Sequence, residues 1–388
     1  MKKLFVMAAA VGVALTGCTS DKADVGYIGD AQQKIEFANP VVAPNTRAAV
    51  PGEIGTNYSV NEHFGVFAVW TLEDYATWGA GKLYMDNVEV EHKTVSAEYT
   101  AKTFAPVGNP YYWPKNGKLT FAAYSPYDAK NHGSVTYDGA GLEIANFAVR
   151  ANGVTKAESA AATAVDDKQY DLLYAPRVYN ATKASAGTGT PYAGLDIKFK
   201  HALSSIMFTV RTEAAYAGTT ITIKKIQVNQ VKSQGTFNET ITDGVAATGI
   251  PAWSAQATPA DYVVYKNDAS EEGEVVVYNG GVGKSIYSDY KDGKNLILIP
   301  QSFEGVSEVN PLSDASITVV WTMKSATGDV IEQTNHFDLG DYTFDSVGAQ
   351  WQMGRRYTYN LVIGLDKIYF NPTVENWTDA VGGDITIK

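Results

Sequence analysis

The chain has 388 residues, a formal charge of −11 and a single cysteine, Cys18. A chain this acidic is a poor partner for nucleic acid, which is gripped through clustered Lys and Arg. One cysteine allows neither an intramolecular disulfide nor a thiolate metal site. Aromatic residues are abundant (24 Tyr, 14 Phe, 7 Trp), as is Gly at 35, a mixture that suits half-buried pleated surfaces joined by turns.

Met1-Lys2-Lys3 is a short positive region, and the apolar run Leu4 to Leu15 follows it. The run has the length of a signal-peptide core and is too short to span a bilayer as a mature helix. It ends in Leu15-Thr16-Gly17-Cys18, small residues before a cysteine, as a lipoprotein signal peptidase requires. Residues 1–17 are therefore expected to be a lipoprotein signal peptide, and Cys18 the lipidated N-terminus, acylated with fatty chains such as palmitate. The mature chain would then be tethered through its N-terminus. Residues 18–47 are polar and read as an exposed tether or propeptide, the kind of segment proteases cut. Within it Lys34 to Val42 alternates, with Ile35 and Phe37 on one face. Arg47, followed by Ala48, is the only arginine before Arg150. Composition alone describes a tether that happens to hold one arginine; a single target for an arginine-specific protease is the other reading.

Beyond residue 50 period-two stretches recur: Phe64 to Trp70, Ile221 to Val228, Glu274 to Asn279, Asn295 to Pro300, Ser316 to Met323 and Tyr357 to Phe370. Turn pairs such as Asn116-Gly117, Asp138-Gly139 and Asp292-Gly293 separate them. This spacing of short alternating strands is that of β-sandwiches. Ala157 to Ala164 is either a short helix or a loop, and residues 180–194 read as a linker or long loop. A boundary near 195 divides the mature chain into two β-sandwich domains, 48–195 and 196–388, both of ordinary size.

No catalytic, metal or cofactor site is expected. The five histidines, His63, His92, His132, His201 and His336, have no partner at metal-ligand spacing, and no His-Glu-x-x-His occurs. Nucleophile-elbow and phosphate-loop motifs are absent. His201, between Phe199 and Leu203, reads as a packed, hydrogen-bonded histidine. Ser288 to Lys294 has spaced acids but lacks the closing Glu of a calcium loop. Trp70, Trp78, Trp113 and Trp253 are candidate glycan platforms if exposed, and core residues if not.

Several phrases in order along the chain resemble the fimbrillin family, the type V pilins and Mfa-like lipoproteins of Bacteroidales. They are Tyr111-Tyr112-Trp113-Pro114, Leu119 to Pro126, Gln169 to Ala175, Phe199-Lys200-His201-Ala202-Leu203-Ser204, Ile299-Pro300-Gln301, Trp351 to Tyr359, Val374 to Trp377 and Gly382 to Ile387. The resemblance implies two tandem transthyretin-like β-sandwich domains in an all-β chain. It also implies export as a lipoprotein, cleavage between Arg47 and Ala48 by an arginine-specific surface protease, and homopolymerisation by strand exchange between neighbouring pilin subunits. Ile35 and Phe37 would fill a groove before cleavage, and Ile385 and Ile387 would fill that of the next subunit after it. Ile385 and Ile387 equally suit the last strand of their own domain. The implied role is a structural subunit of a cell-surface fimbria supporting adhesion to a host glycan or protein receptor. The alternative is a non-polymerising surface lipoprotein, either a fimbrial anchor or a glycan-binding adhesin.

Overall fold

The computed structural model describes residues 33–38, 40–42, 56–57, 63–74, 81–94, 103–131, 133–138, 141–149, 171–186, 194–239, 251–266, 274–276, 282–286, 296–304, 314–342, 344, 348–365 and 368–376. The run 157–164 and the acids of 288–294 lie outside them. The fold is all-β. In chain order the strands are β1 (Val41–Val42), β2 (Thr56–Asn57), β3 (Phe64–Thr71), β4 (Lys82–Lys93), β5 (Thr103–Pro106), β6 (Lys118–Ser125), β7 (Ser134–Asp138), β8 (Gly141–Ala148), β9 (Leu173–Ala181) and β10 (Lys198–His201). There follow β11 (Ser204–Thr212), β12 (Thr220–Asn238), β13 (Ala252–Lys266), β14 (Glu274–Val276), β15 (Lys284–Ile286), β16 (Leu296–Leu298), β17 (Ser316–Lys324), β18 (Val330–Asp338), β19 (Arg355–Ile363) and β20 (Ile368–Asn376).

Three sheets result. The first has the order β2-β1-β10-β9-β6-β3-β4-β5. Its central strands β3 (FGVFAVWT) and β6 (KLTFAAYS) are buried almost throughout. A strand covered on both faces has no reason to alternate, and both faces here are covered. Phe64, Val66 and Ala68 enter one core, while Phe67 and Tyr124 enter the other. The second sheet runs β15-β11-β19-β20, with β16 also on β11, and its β11–β19 pair is parallel. The third runs β18-β17-β12-β8-β7, with β13 and β14 also on β12.

The 19-residue β12 pairs with strands from both sides of residue 195. Its first half pairs with β17 and its last residues, Gln234 to Asn238, pair with β8. Strand pairing thus crosses residue 195. The larger core crosses it too, packing Tyr174 from β9 against Phe237 of β12 at 5.1 Å between ring centroids. Beside them Arg177 Nε donates to Glu239 Oε2 at 3.2 Å, with both side chains buried. Burial pushes the Glu239 carboxyl up, against the opposing pull of Arg177.

Two expectations change. The stretch Tyr357 to Phe370 is not one strand. β19 ends at Ile363, Leu365 stands half-exposed in the turn, and β20 returns antiparallel, so the apparent alternation through Leu365 bridged a hairpin. Residues 180–194 are not wholly linker or loop: β9 continues to the buried Ala181, and Lys183–Ala186 form a 3-10 turn.

Candidate functional site

The first eight-stranded sheet does not end in two open edges. Residues 33–38 lie between its β5 side and the chain entering β10. Phe37 is bridged antiparallel to Phe104 of β5 and parallel to Leu195. Lys34 is bridged to Tyr112, and β1, a few residues on, pairs parallel with β10. Ile35 N donates to Tyr111 O (2.8 Å), Phe37 N to Phe104 O (2.7 Å) and Phe104 N to Phe37 O (2.9 Å). Trp113 N donates to Gln33 O at 3.0 Å. On the other side Leu195 N donates to Glu36 O (2.8 Å) and Ala38 N to Leu195 O (3.0 Å). The pairings therefore close a ring through β10, β9, β6, β3, β4, β5 and this one segment, which acts as its last stave. Closure removes the unpaired edges that a sheet of this size would otherwise present.

The alternation of the segment sets its anchoring. Ile35 and Phe37 point into the ring, 1% and 0% exposed, while Gln33, Lys34 and Glu36 are only half-buried. The Phe37 ring meets Phe64 edge-on at 5.6 Å and Phe121 at 5.9 Å. Phe64 in turn meets Phe199 of β10 at 5.5 Å and Phe104 of β5 at 5.7 Å, so Phe37 joins a cluster drawn from β3, β5, β6 and β10. Edge-to-face pairs add ~0.5–1.5 kcal/mol to area burial. Glu36 accepts a longer bond (3.3 Å) from the buried Thr103 hydroxyl.

Gly194 fits the backbones together at this seam. Its φ is +84°, and a Cβ there would sit 2.5 Å from both Ala38 N and the Phe37 carbonyl carbon. Sequence reasoning placed Ile35 and Phe37 on one face, and Tyr111 only within a family phrase, but did not single out Gly194, Phe104 or Leu195, which line the slot. Gly194 closes a stretch rich in Gly, Ser and Thr, where one essential glycine cannot be told from permissive ones.

The other expected site residues fall as follows. Cys18, Arg47, Ala48, Ile385, Ile387, Trp78 and His132 lie outside the described residues. His201 is 3% exposed and its Nδ1 is hydrogen-bonded to Asp171 Oδ2 at 2.8 Å, the packed histidine expected. His63 Nδ1 meets Glu89 Oε1 at 2.7 Å, His92 lies against the Phe104 ring, and His336 Nδ1 meets Thr318 Oγ1 at 2.9 Å. Trp113 is buried against Phe121. Trp253 packs between Phe147 and Phe237 and donates to Ala202 O at 2.6 Å. Trp70 is half-buried and donates to Asn116 O at 2.8 Å. Among the described residues no group of three or more His, Cys, Asp or Glu comes together as metal ligands. What this site is built to do is hold one extended strand.

No curated protein matches the sequence. Among solved structures the chain is similar to a fimbrial protein from Bacteroides vulgatus ATCC 8482, at 16% identity and a TM-score of 0.54, over 89% of this chain and 100% of that one. It is also similar to a candidate cell adhesion protein from Bacteroides uniformis ATCC 8492, with 18% identity, a TM-score of 0.44, and 90% and 100% of the two chains covered. A third is the tip fimbrial protein Mfa3 from Porphyromonas gingivalis, solved with a C-terminal truncation: 11% identity, a TM-score of 0.35, and 81% and 94% covered. At such identities the likeness speaks for the fold, and of the three the first carries it. The family model described as fimbrillin-like matches residues 46–377, most of the sequence. The chain belongs to the fimbrillin-like family.

Proposed function

We propose that the protein is a structural subunit of a cell-surface fimbria whose slot is filled by its own segment 33–38 before processing and by a neighbour's strand afterwards. The observation that carries this reading is the stave itself, held on both sides by backbone bonds and from below by Ile35 and Phe37. It lies upstream of Arg47, so cleavage between Arg47 and Ala48 by an arginine-specific surface protease would separate it from the rest of the chain. Loss of the stave would expose two rows of backbone groups and an apolar floor, which a foreign strand can satisfy by β-addition. The donor in this reading is the C-terminal strand with Ile385 and Ile387, behind the Gly382-Gly383 hinge. Export runs through the lipobox, with Cys18 lipidated and the precursor held at the outer membrane. Residues 48–388 are the mature subunit. Its division at 195 into two transthyretin-like sandwiches goes with this reading, β8 then reaching across the division. The role needs no catalysis and no cofactor.

The test is the mature N-terminus of protein taken from cells, read beside an Arg47→Ala variant. The wild type should begin at Ala48 and form high-mass ladders on mild SDS gels. Arg47→Ala should fold, keep residues 18–47 and form no high-mass ladders. Normal ladders from the variant would overturn strand exchange after cleavage, and a wild-type N-terminus at lipidated Cys18 in assembled material would leave a non-polymerising anchor.

A further inference from the structure

β18, the nine-residue strand VIEQTNHFD, is the outermost strand of the third sheet among the described residues. It pairs with β17 from Ser316↔Asp338 to Lys324↔Val330 without a bulge. The ladder's parity can be read from its two ends. Ser325 N donates to Asp329 O at 2.9 Å, and Leu339 N to Ala315 O at 3.0 Å. Both bonds continue the same register. Hydrogen-bonded pairs alternate along an antiparallel ladder, so Ile331, Gln333, Asn335 and Phe337 direct their backbone groups to β17. Val330, Glu332, Thr334 and His336 direct theirs outward.

Long outer strands invite pairing with another chain, and proteins guard them with proline, bulges or lysine. Among the described residues, the other two long outer strands are guarded. β13 carries Pro259, left-handed residues at Ala255 (φ 49°) and Thr258 (φ 57°), and several register shifts against β12. β20 carries Pro372 in mid-strand. β18 has no proline, no lysine and no bulge, and its Val330 and Ile331 are 59% and 48% exposed.

We propose that β18 pairs antiparallel with β18 of a second copy of this chain, about a twofold axis through Thr334. The strand is self-complementary in that register. Thr334 faces Thr334, Glu332 faces His336, Gln333 faces Asn335, and Ile331 faces Phe337, each heterologous pair occurring twice by symmetry. The outward-directed residues meet one another, so the ladder bonds form. Opposite charges directly across a ladder stabilise it and like charges oppose it. A two-residue slip one way sets Glu332 against Asp338; the other way sets Glu332 against Thr334. Both slips lose the carboxylate–imidazole pairs. His336 is already steadied by its Nδ1 contact with Thr318, which directs Nε2 to the meeting carboxylate. This association is side by side and does not depend on how subunits join end to end.

The experiment uses the unprocessed full chain with Cys18→Ser, which removes the native cysteine, plus one new cysteine. Directly opposed residues of a hydrogen-bonded pair stand about 5.5 Å apart at Cα, within disulfide reach. Thr334→Cys should cross-link to dimer under mild oxidation at least tenfold faster than Val330→Cys, whose symmetry mate lies at the far end of the ladder. In sedimentation equilibrium of the chain without added cysteine, Thr334→Pro should lower the association constant at least tenfold while leaving the circular-dichroism melt in place, because the lost N–H points away from β17. Glu332→Lys and His336→Glu should each weaken association, and the double variant should restore it. Equal cross-linking of the two cysteines, or no rescue by the double variant, would overturn the proposal even if the proline variant misfolds.

Discussion

Phe37 contributes to the ring in two ways, through its backbone on both sides and its ring beneath. Phe37→Ala should destabilise the unprocessed chain by ~3–5 kcal/mol, as other buried Phe truncations do, seen as a lowered denaturant midpoint. An unchanged midpoint would mean that the stave contributes little. Gly194→Ala acts on the same seam from the other side: its Cβ meets backbone rather than a yielding side chain, and its φ is positive. That variant should expose the segment to proteolysis while the strands of the second sheet keep their hydrogen-exchange protection. The tyrosines add a pH dependence. Burial pushes the Tyr174 and Tyr357 phenols up from the usual 10 to about 12. Folding holds them neutral, so the stability they contribute is complete below pH about 10 and is lost as pH rises through about 12. Tyrosinate absorbance and loss of β circular dichroism should then rise together in that window. Ionisation of all the tyrosines near pH 10 with the fold intact would contradict it. At this scale the sequence was legible where alternation met burial, as at Ile35 and Phe37. It was silent where a residue matters for an atom it lacks, as at Gly194.

Strands were readable to the extent that the two faces of a sheet differ. β17 alternates Ile317, Val319 and Trp321 inward against Thr318 and Thr322, and its expected bounds nearly match those found. β18 beside it went unremarked because its residues from Val330 to Thr334 are exposed on both faces, leaving no period to see. β13 escaped for another reason: Pro259 and the left-handed residues break its pattern while β12 still holds it. Near the C-terminus β20 ends at Asn376 in its ladder with β19. If the residues beyond serve a neighbour, deletion of 384–388 should leave the monomer's melting temperature within a few degrees and abolish ladders on mild SDS gels. If Ile385 and Ile387 complete their own domain, the deletion removes about 3–6 kcal/mol of burial and the melt falls steeply.

Across the molecule the two halves share structure that a division at 195 does not predict from local pattern. Long-range pairing such as Gln234↔Ala148 leaves no trace in either strand's own sequence. Phe237 sits at that junction, 0% exposed, between Tyr174 and Trp253. Phe237→Ala should therefore lower the stability of both halves together by ~3–5 kcal/mol, reported by hydrogen exchange in β9 and β17 alike. Protection lost on one side alone would mean that the shared core does not couple them. The Arg177–Glu239 pair crosses the same junction. Removing one partner strands a buried charge, so Arg177→Met should cost about 3–5 kcal/mol, and Arg177→Met with Glu239→Leu should recover much of it.

The stave of 33–38 touches the rest of the ring through noncovalent contacts alone. Cutting the chain downstream of it breaks none of them, so a nicked molecule remains whole as a two-piece complex. What the cut changes is concentration. While tethered, the segment is present at its own slot at an effective concentration of the order of millimolar; once cut, it counts only at the concentration of free peptide in the surroundings. Proteolysis at such a site works as a dilution, and a competing strand prevails by being the one still attached to something nearby.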